Sequence, residues 1–135
     1  MEPKIWGKHA WLFLHTITLN YPDEPTLSDK QNYKSFFESL IDILPCPTCR
    51  EHYEEKIKNN PIQLNSKEDL VRWLIKIHNN VNERKNKPTL SYEEVINYYT
   101  KLYNPVNKYD EIIKLLLIII IIVLFILMIR NKNKR

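Results

Sequence analysis

The sequence predicts an all-α fold: a four-helix bundle with a short fifth helix, followed by a C-terminal transmembrane helix. Three observations predict it. Apolar residues recur at helical spacing through residues 1–103 and nowhere alternate as they do in strands. Prolines and Ser-x-x-polar pairs punctuate the chain where helices should stop and start. Residues 115–129 form an unbroken apolar run.

The elements follow in order. In the first helix Trp11, Leu14 and His15 stand at i, i+3 and i+4, and the Pro-punctuated loop Tyr21–Thr26 (YPDEPT) ends it. Ser28 with Gln31 makes a capping box that opens the second helix, whose stripe is Tyr33, Phe36, Phe37, Leu40, Ile41 and Leu44. Pro45 stops that helix, and Pro47 suits the first position of a third. Asn59-Asn60-Pro61 closes the third helix. Ser66 with Asp69 caps a fourth, striped by Leu70, Trp73, Leu74, Ile77 and Val81. Ser91 with Glu94 caps a fifth carrying Val95, Tyr98, Tyr99 and Leu102. The organisation is a helical domain over residues 1–103, a linker at 104–111, a membrane helix at 112–129 and a basic tail at 130–135.

The span is read from Ile112 to Ile129, 18 residues interrupted only by Lys114. At 1.5 Å per residue they reach about 27 Å, close to the hydrocarbon thickness of a bilayer. Lys114, near one end, can snorkel its ammonium to the interface. The rest of the chain has too little apolar surface to wrap a helix that is hydrophobic all round. The positive-inside tendency would place the C-terminus in the cytosol. Against it, residues 10–14 are too short an apolar run for a secretory signal, and a lone C-terminal span suits insertion after synthesis. The expectation is a single-pass membrane protein with its N-terminal helical domain cytosolic.

The net charge of +4 is a property of the tail. Residues 1–108 hold 15 basic and 14 acidic side chains, while Arg130–Arg135 contribute +4. Nucleic-acid binding needs a basic face on a folded domain, and none is visible. The single glycine, Gly7, excludes a Gly-rich dinucleotide fingerprint and a P-loop, so any nucleotide cofactor must be held by side chains.

Both cysteines lie in one motif, Pro45-Cys46-Pro47-Thr48-Cys49. With a helix starting at Pro47, Cys46 is the N-cap, where free N–H groups and the helix dipole favour thiolate over thiol. A C-x-x-C pair closes a small disulfide ring and reopens by exchange, which is redox chemistry. Two other readings stand beside it: a metal site completed by His52 and a further histidine, and an inert core pair. A thioredoxin-type motif would need a βαβ scaffold, which this pattern does not offer.

Trp6-Gly7-Lys8-His9-Ala10-Trp11-Leu12-Phe13-Leu14-His15, then YPDEPT, PCPTC, Trp73-Leu74-x-x-x-His78-Asn79-Asn80-Val81-Asn82 and Lys87-Pro88 occur in that order. Over roughly residues 3–103 this resembles the Erv/ALR family of FAD-linked sulfhydryl oxidases, including versions encoded by large DNA viruses. The resemblance implies a helical bundle that binds FAD at its mouth as a homodimer, with oxygen as electron acceptor and hydrogen peroxide as product. It places Gly7, Lys8, Trp11 and His15 beside the flavin nucleotide, and Tyr53 at the aromatic or apolar position that follows the C-x-x-C. His78, Asn79, Val81 and Asn82 match the H-N-x-V-N signature that contacts the cofactor. Lys85 and Lys87 fall near the phosphates, and Tyr98 and Tyr99 fall where the family meets the adenine.

Two departures carry consequences. Where the family has a second cysteine pair flanking the H-N-x-V-N and Lys-Pro motifs, this chain has Ile75 and Tyr92, and the shuttle C-x-x-C of flexible tails is absent. The resemblance therefore implies that electrons come directly from a dithiol protein partner, a thioredoxin-like one. Cys46 is the sulfur attacked by substrate, and Cys49 passes the electrons to FAD. The competing readings are a membrane-anchored dithiol carrier without flavin and a Cys/His metal-binding module.

Overall fold

The structure is a computed structural model and describes residues 1–105 and 108–132; positions 106–107 of the expected linker and 133–135 of the expected tail lie outside the described residues. Six helices follow one another: α1 (Pro3–Leu19), α2 (Leu27–Ile43), α3 (Pro47–Asn59), α4 (Lys67–Arg84), α5 (Tyr92–Tyr103) and α6 (Lys108–Lys132). Among the described residues there is no strand. The chain divides into two compact units, Met1–Ile96 and Asn97–Arg135, with the boundary inside α5.

In the first unit α1 packs on α4, α2 on α3, and α3 on α4. The core gathers Leu14, Tyr21, Phe37, Leu40, Tyr53, Ile57, Leu70, Trp73, Leu74 and Ile77, with contributions from each of α1 to α4. Three of its aromatic residues each send a polar tip to a carbonyl. The Tyr21 hydroxyl donates to Leu64 O at 3.0 Å, Tyr53 to Phe37 O at 3.0 Å, and the Trp73 indole N–H to Asn60 O at 2.9 Å. Each bond joins distant segments and satisfies a group that burial would otherwise strand. Phe37 meets Trp73 edge to face at 5.0 Å between centroids.

Local signals set most boundaries. Pro45 biases Leu44 to extended backbone (φ −55°, ψ 132°), so α2 ends at Ile43. Pro47 occupies the first turn of α3, where its missing N–H has no helical partner to lose. Ser66 accepts from the Asp69 N–H, and Ser91 and Glu94 satisfy each other reciprocally. The box expected at Ser28–Gln31 is displaced by two residues. Thr26 is the N-cap, its hydroxyl accepts from the Asp29 N–H, and the Asp29 carboxylate accepts from the Thr26 N–H at 2.9 Å. An ionised Asp in the first turn also meets the positive end of the helix dipole, an advantage that neutral Gln31 lacks. Gln31 instead reaches Ser35 Oγ along the helix surface.

α4 ends in a Schellman turn: Lys87 N–H donates to Asn82 O at 2.9 Å and Asn86 N–H to Glu83 O at 3.0 Å. Asn86 takes the left-handed conformation (φ 52°) that a glycine often fills. The turn folds residues 85–87 back at the end of the helix.

In the second unit the Tyr99 ring meets those of Tyr98 and Tyr103, with centroids 5.1 and 6.3 Å away. α6 contains one stretch, Ile112–Asn131, long and apolar enough to cross a membrane, and its side chains are exposed on every face. That exposure is unlike the core helix of a soluble protein.

The displaced cap gives a direct test. Thr26→Ala should cost about 1 kcal/mol in urea unfolding, the usual worth of an N-cap side chain, whereas Ser28→Ala should leave stability unchanged. Equal losses for the two would restore the sequence-based placement.

Candidate active site

The third helix begins at the cysteine pair. Cys46 is the N-cap of α3, and its sulfur accepts from the Cys49 N–H at 3.3 Å. The two cysteines form a disulfide with their Cα atoms 5.1 Å apart, inside the ordinary range for such a bridge. Both are half-buried. The Arg50 guanidinium donates to Leu44 O at 2.7 Å and ties the first turn of α3 to the end of α2.

The disulfide opens into a hollow of about 380 Å³ framed by α1, the end of α2, α3 and α4. This is within the range of small-molecule sites, about 300–1,000 Å³. Three helical stripes make most of its wall. Pro3, Gly7, Ala10, Trp11 and Leu14 come from α1; Cys49, His52, Tyr53 and Lys56 from α3; Ile77, Asn80, Val81 and Arg84 from α4. Trp6, Lys85, Leu40 of α2, Leu44 just past its end, Cys46 and Thr48 complete it. The wall is mostly apolar near the core, while Lys56, Arg84 and Lys85 supply cationic side chains with no acidic residue in the lining.

Two features of α1 face this space. An added Cβ at Gly7 would meet no atom within 4 Å, so protein packing does not demand the glycine. Glycine within a helix costs roughly 0.5–1 kcal/mol relative to alanine, a cost the protein's own contacts leave unexplained. The indole Nε1 of Trp6 is buried and has no hydrogen-bond partner.

Behind the wall, Trp11 lies flat on His78, with ring centroids 3.9 Å apart and planes within 7°. His78 Nδ1 and His15 Nε2 are hydrogen-bonded at 3.0 Å. Burial and the neighbouring His78 push His15 down to about 3, and burial and Lys87 push His78 down to about 4. Both rings are therefore neutral near pH 7, as a hydrogen bond between two imidazoles deep in the fold requires. The Tyr53 phenol is shifted above its usual range by burial and by Glu38, so it stays protonated and donates to Phe37 O.

Opposite the stack, Arg84 Nη2 is 2.7 Å from His52 Nε2. A guanidinium only donates, so His52 Nε2 is the acceptor. The contact bridges α3 to α4 beside the disulfide. Among the described residues no group of three or more His, Cys, Asp or Glu is placed to hold a metal ion.

The residues singled out from sequence fall in several places. Cys46, Cys49, Gly7, Trp11, Tyr53, Val81 and Lys85 line the hollow. His15 and His78 stand behind Trp11 as its support. Asn79 turns elsewhere: its amide donates to Leu90 O and accepts from Leu90 N–H, clamping the loop before α5 to α4. Asn82 is buried, and its carbonyl accepts from Lys85 and Lys87 N–H in the turn. Lys8 and Lys87 are exposed. Tyr98 and Tyr99 belong to the second unit, Tyr98 exposed and Tyr99 buried. Ile75 and Tyr92, where the family carries its second cysteine pair, line one shallow hollow, with the Arg72 guanidinium 4.1 Å above the Tyr92 ring.

Sequence reasoning missed Trp6, His52, Lys56, Asn80 and Arg84 as wall residues. The signal was helical spacing from residues already named: His52 is one turn beyond Cys49, and Arg84 is three residues beyond Val81.

The family model described as Erv1 / Alr matches residues 8–108. A probable FAD-linked sulfhydryl oxidase of Acanthamoeba polyphaga mimivirus is 41% identical over 111 residues, covering 80% of this chain and 78% of that one. A FAD-linked sulfhydryl oxidase of rice (Oryza sativa subsp. japonica) is 34% identical over 104 residues, covering 77% of this chain, which spans only about half (54%) of the plant protein. The crystal structure of the FAD binding domain of Erv1 from Saccharomyces cerevisiae superposes with a TM-score of 0.67 at 33% identity, covering 75% of this chain and 92% of that one. A C-x-x-C disulfide at the mouth of an all-helical hollow, together with these matches, places the chain in the Erv1/Alr family.

The histidine pair gives the site a predicted pH dependence. In the unfolded chain each ring takes up a proton below about pH 6.5, whereas in the folded protein both resist until about pH 4 or lower. Stability is thus complete above pH 6.5 and declines between pH 6.5 and 4, by about 2 kcal/mol at pH 5 for buried His15 alone. Urea unfolding at pH 7.5 and pH 5 should show the loss, and His15→Gln should flatten it. An unchanged slope in the variant would assign the acid sensitivity elsewhere.

Proposed function

We propose that this chain is a FAD-dependent sulfhydryl oxidase that forms disulfides in protein dithiols. One observation carries the reading: the Cys46–Cys49 disulfide lies in the wall of the same hollow as Gly7, Trp11 and the cationic end of α4. The residues present fit FAD. The glycine leaves open space that protein does not use, the Trp6 indole N–H is buried without an acceptor, and the wall passes from aromatic and aliphatic groups to Lys56, Arg84 and Lys85. Trp11, Tyr53 and Val81 would hold the ring system, and Arg84 and Lys85 the phosphates. When bound, FAD supplies the two-electron acceptor that returns the electrons to oxygen as hydrogen peroxide.

The chain's own residues perform the exchange. A substrate thiolate attacks Cys46, a bond forms between those sulfurs, and the Cys46–Cys49 bond breaks to leave Cys49 as thiolate. The second substrate thiol then displaces Cys46, completing the substrate disulfide and leaving the enzyme pair reduced by two electrons. The α3 N-terminus supports negative charge on Cys46 through the Cys49 N–H, which already points at its sulfur. Lys56 and Arg84 add positive charge to the same space.

The setting follows as part of the same proposal. Residues 1–103 carry the oxidase; His15 and His78 back Trp11, Asn79 holds the loop before α5, and Lys8, Asn82 and Lys87 complete cofactor binding. Residues 112–129 anchor it in a membrane with the catalytic domain on the cytosolic side, and the direct substrate is a thioredoxin-like dithiol protein. A homodimer would cover exposed Ile5 and Phe13, which share one face of α1 two turns apart.

Purified full-length protein in detergent should be yellow with bound FAD and should consume oxygen when given a dithiol. Cys46→Ser and Cys49→Ser should each abolish the oxygen uptake while leaving the flavin bound. Oxygen uptake that persists in both variants would remove the cysteine pair from the reaction. A colourless wild type that only exchanges disulfides would make it a carrier instead.

A further inference from the structure

The end of α5 and the start of α6 carry several partly exposed apolar side chains. Leu102 and Tyr103 in the last turn of α5 are 46% and 54% exposed, and Tyr109 at the start of α6 is 73% exposed. Scattered exposed apolar residues are ordinary on protein surfaces. These three are set apart by their position relative to Ile112, where the apolar run begins.

Tyr109 stands three residues before Ile112 on the same helix, about 4.5 Å along its axis. Residues 112–129 match the hydrocarbon thickness, so Tyr109 lies in the headgroup layer, which extends roughly 5–8 Å beyond the hydrocarbon on each side. Tyrosine is enriched at this level because its ring prefers the acyl boundary while its hydroxyl stays wet. Tyr103 precedes Tyr109 by six residues, which span at most about 20 Å even when fully extended. The end of α5 is therefore kept within reach of the bilayer surface. Its last turn carries Lys101, a cation that suits phosphate headgroups, beside the exposed leucine and tyrosine.

We propose that the last turn of α5, through Leu102 and Tyr103, docks in the headgroup layer of the bilayer that α6 crosses and forms an interfacial collar with Tyr109. The proposal rests on the reading of α6 as a membrane span. Its consequence is that the end of α5 is held at the membrane surface rather than carried on a free tether.

Nitroxide labels on single introduced cysteines test the collar. The full chain has only Cys46 and Cys49, joined as a disulfide, so an added cysteine is the one free thiol. The variants are Leu102→Cys and Tyr103→Cys in the collar, Tyr109→Cys at its base, Ile121→Cys in the middle of the span and Glu93→Cys as the aqueous reference. Each is reconstituted into phosphatidylcholine vesicles, and label collisions with oxygen are compared with those of a water-soluble nickel chelate. The oxygen-to-nickel ratio at 102 and 103 should be severalfold above that at 93 and close to that at 109, with the highest value at 121. A ratio at 102 or 103 equal to that at 93, with 121 reading deep, overturns the collar and leaves the span intact. A ratio at 121 equal to that at 93 overturns the span and the collar together.

Discussion

Trp11 lies flat on His78, and His78 is hydrogen-bonded to His15; this three-ring contact fixes α1 against α4 at the back of the hollow. Two imidazoles inside a helical core are costly unless each finds a partner and stays uncharged. Here the His15–His78 nitrogen-to-nitrogen contact gives each ring a partner, and burial holds both rings neutral. The Trp11 indole is thereby given a rigid backing. With its position set, the α1 stripe from Pro3 to Leu14 becomes a wall and Gly7 becomes an opening.

The opposite wall depends on α3, whose start is set by covalent geometry rather than by packing. Two prolines flank Cys46: the first ends α2 and the second begins α3. The cysteine between them is left as an N-cap whose sulfur accepts from the Cys49 N–H, and Cys49 falls at the distance a disulfide needs. Tyr53, anchored to Phe37 O, and the Arg84–His52 bridge then hold α3 against its neighbours so that the disulfide faces the same space as Trp11. Redox chemistry and cofactor surface meet because a proline-set turn and an aromatic stack converge on one cavity.

The parts of this arrangement that were legible in the sequence are those encoded locally. Cys46–Pro47, Ser66–Asp69 and Ser91–Glu94 act within four residues, and their caps formed where the pattern placed them. The stripes of α2 and α4 likewise supplied the core. The Thr26 box was misplaced because Ser28–Gln31 has the same spacing, and only the ionised Asp29 carboxylate decides between them. In the sequence His52 suggests only a metal ligand, and Lys56 and Arg84 carry no local signal, since a charged residue becomes a wall residue only when two helices pack around a hollow. Asn79 shows the same limit from the other side. Its sequence motif suggests a ligand contact, yet its amide is spent on Leu90, 11 residues away, in a loop whose path no local rule sets.

The central claim is that electrons enter a flavin in this hollow only through the Cys46–Cys49 pair. An anaerobic titration of FAD-loaded full-length protein with a small dithiol measures that transfer directly, in the absence of oxygen. The account predicts that the flavin absorbance bleaches in the wild type and persists in Cys49→Ser, although FAD remains bound to both. Bleaching of Cys49→Ser at the wild-type rate, or a wild type whose disulfide is reduced while its flavin stays oxidised, would contradict it.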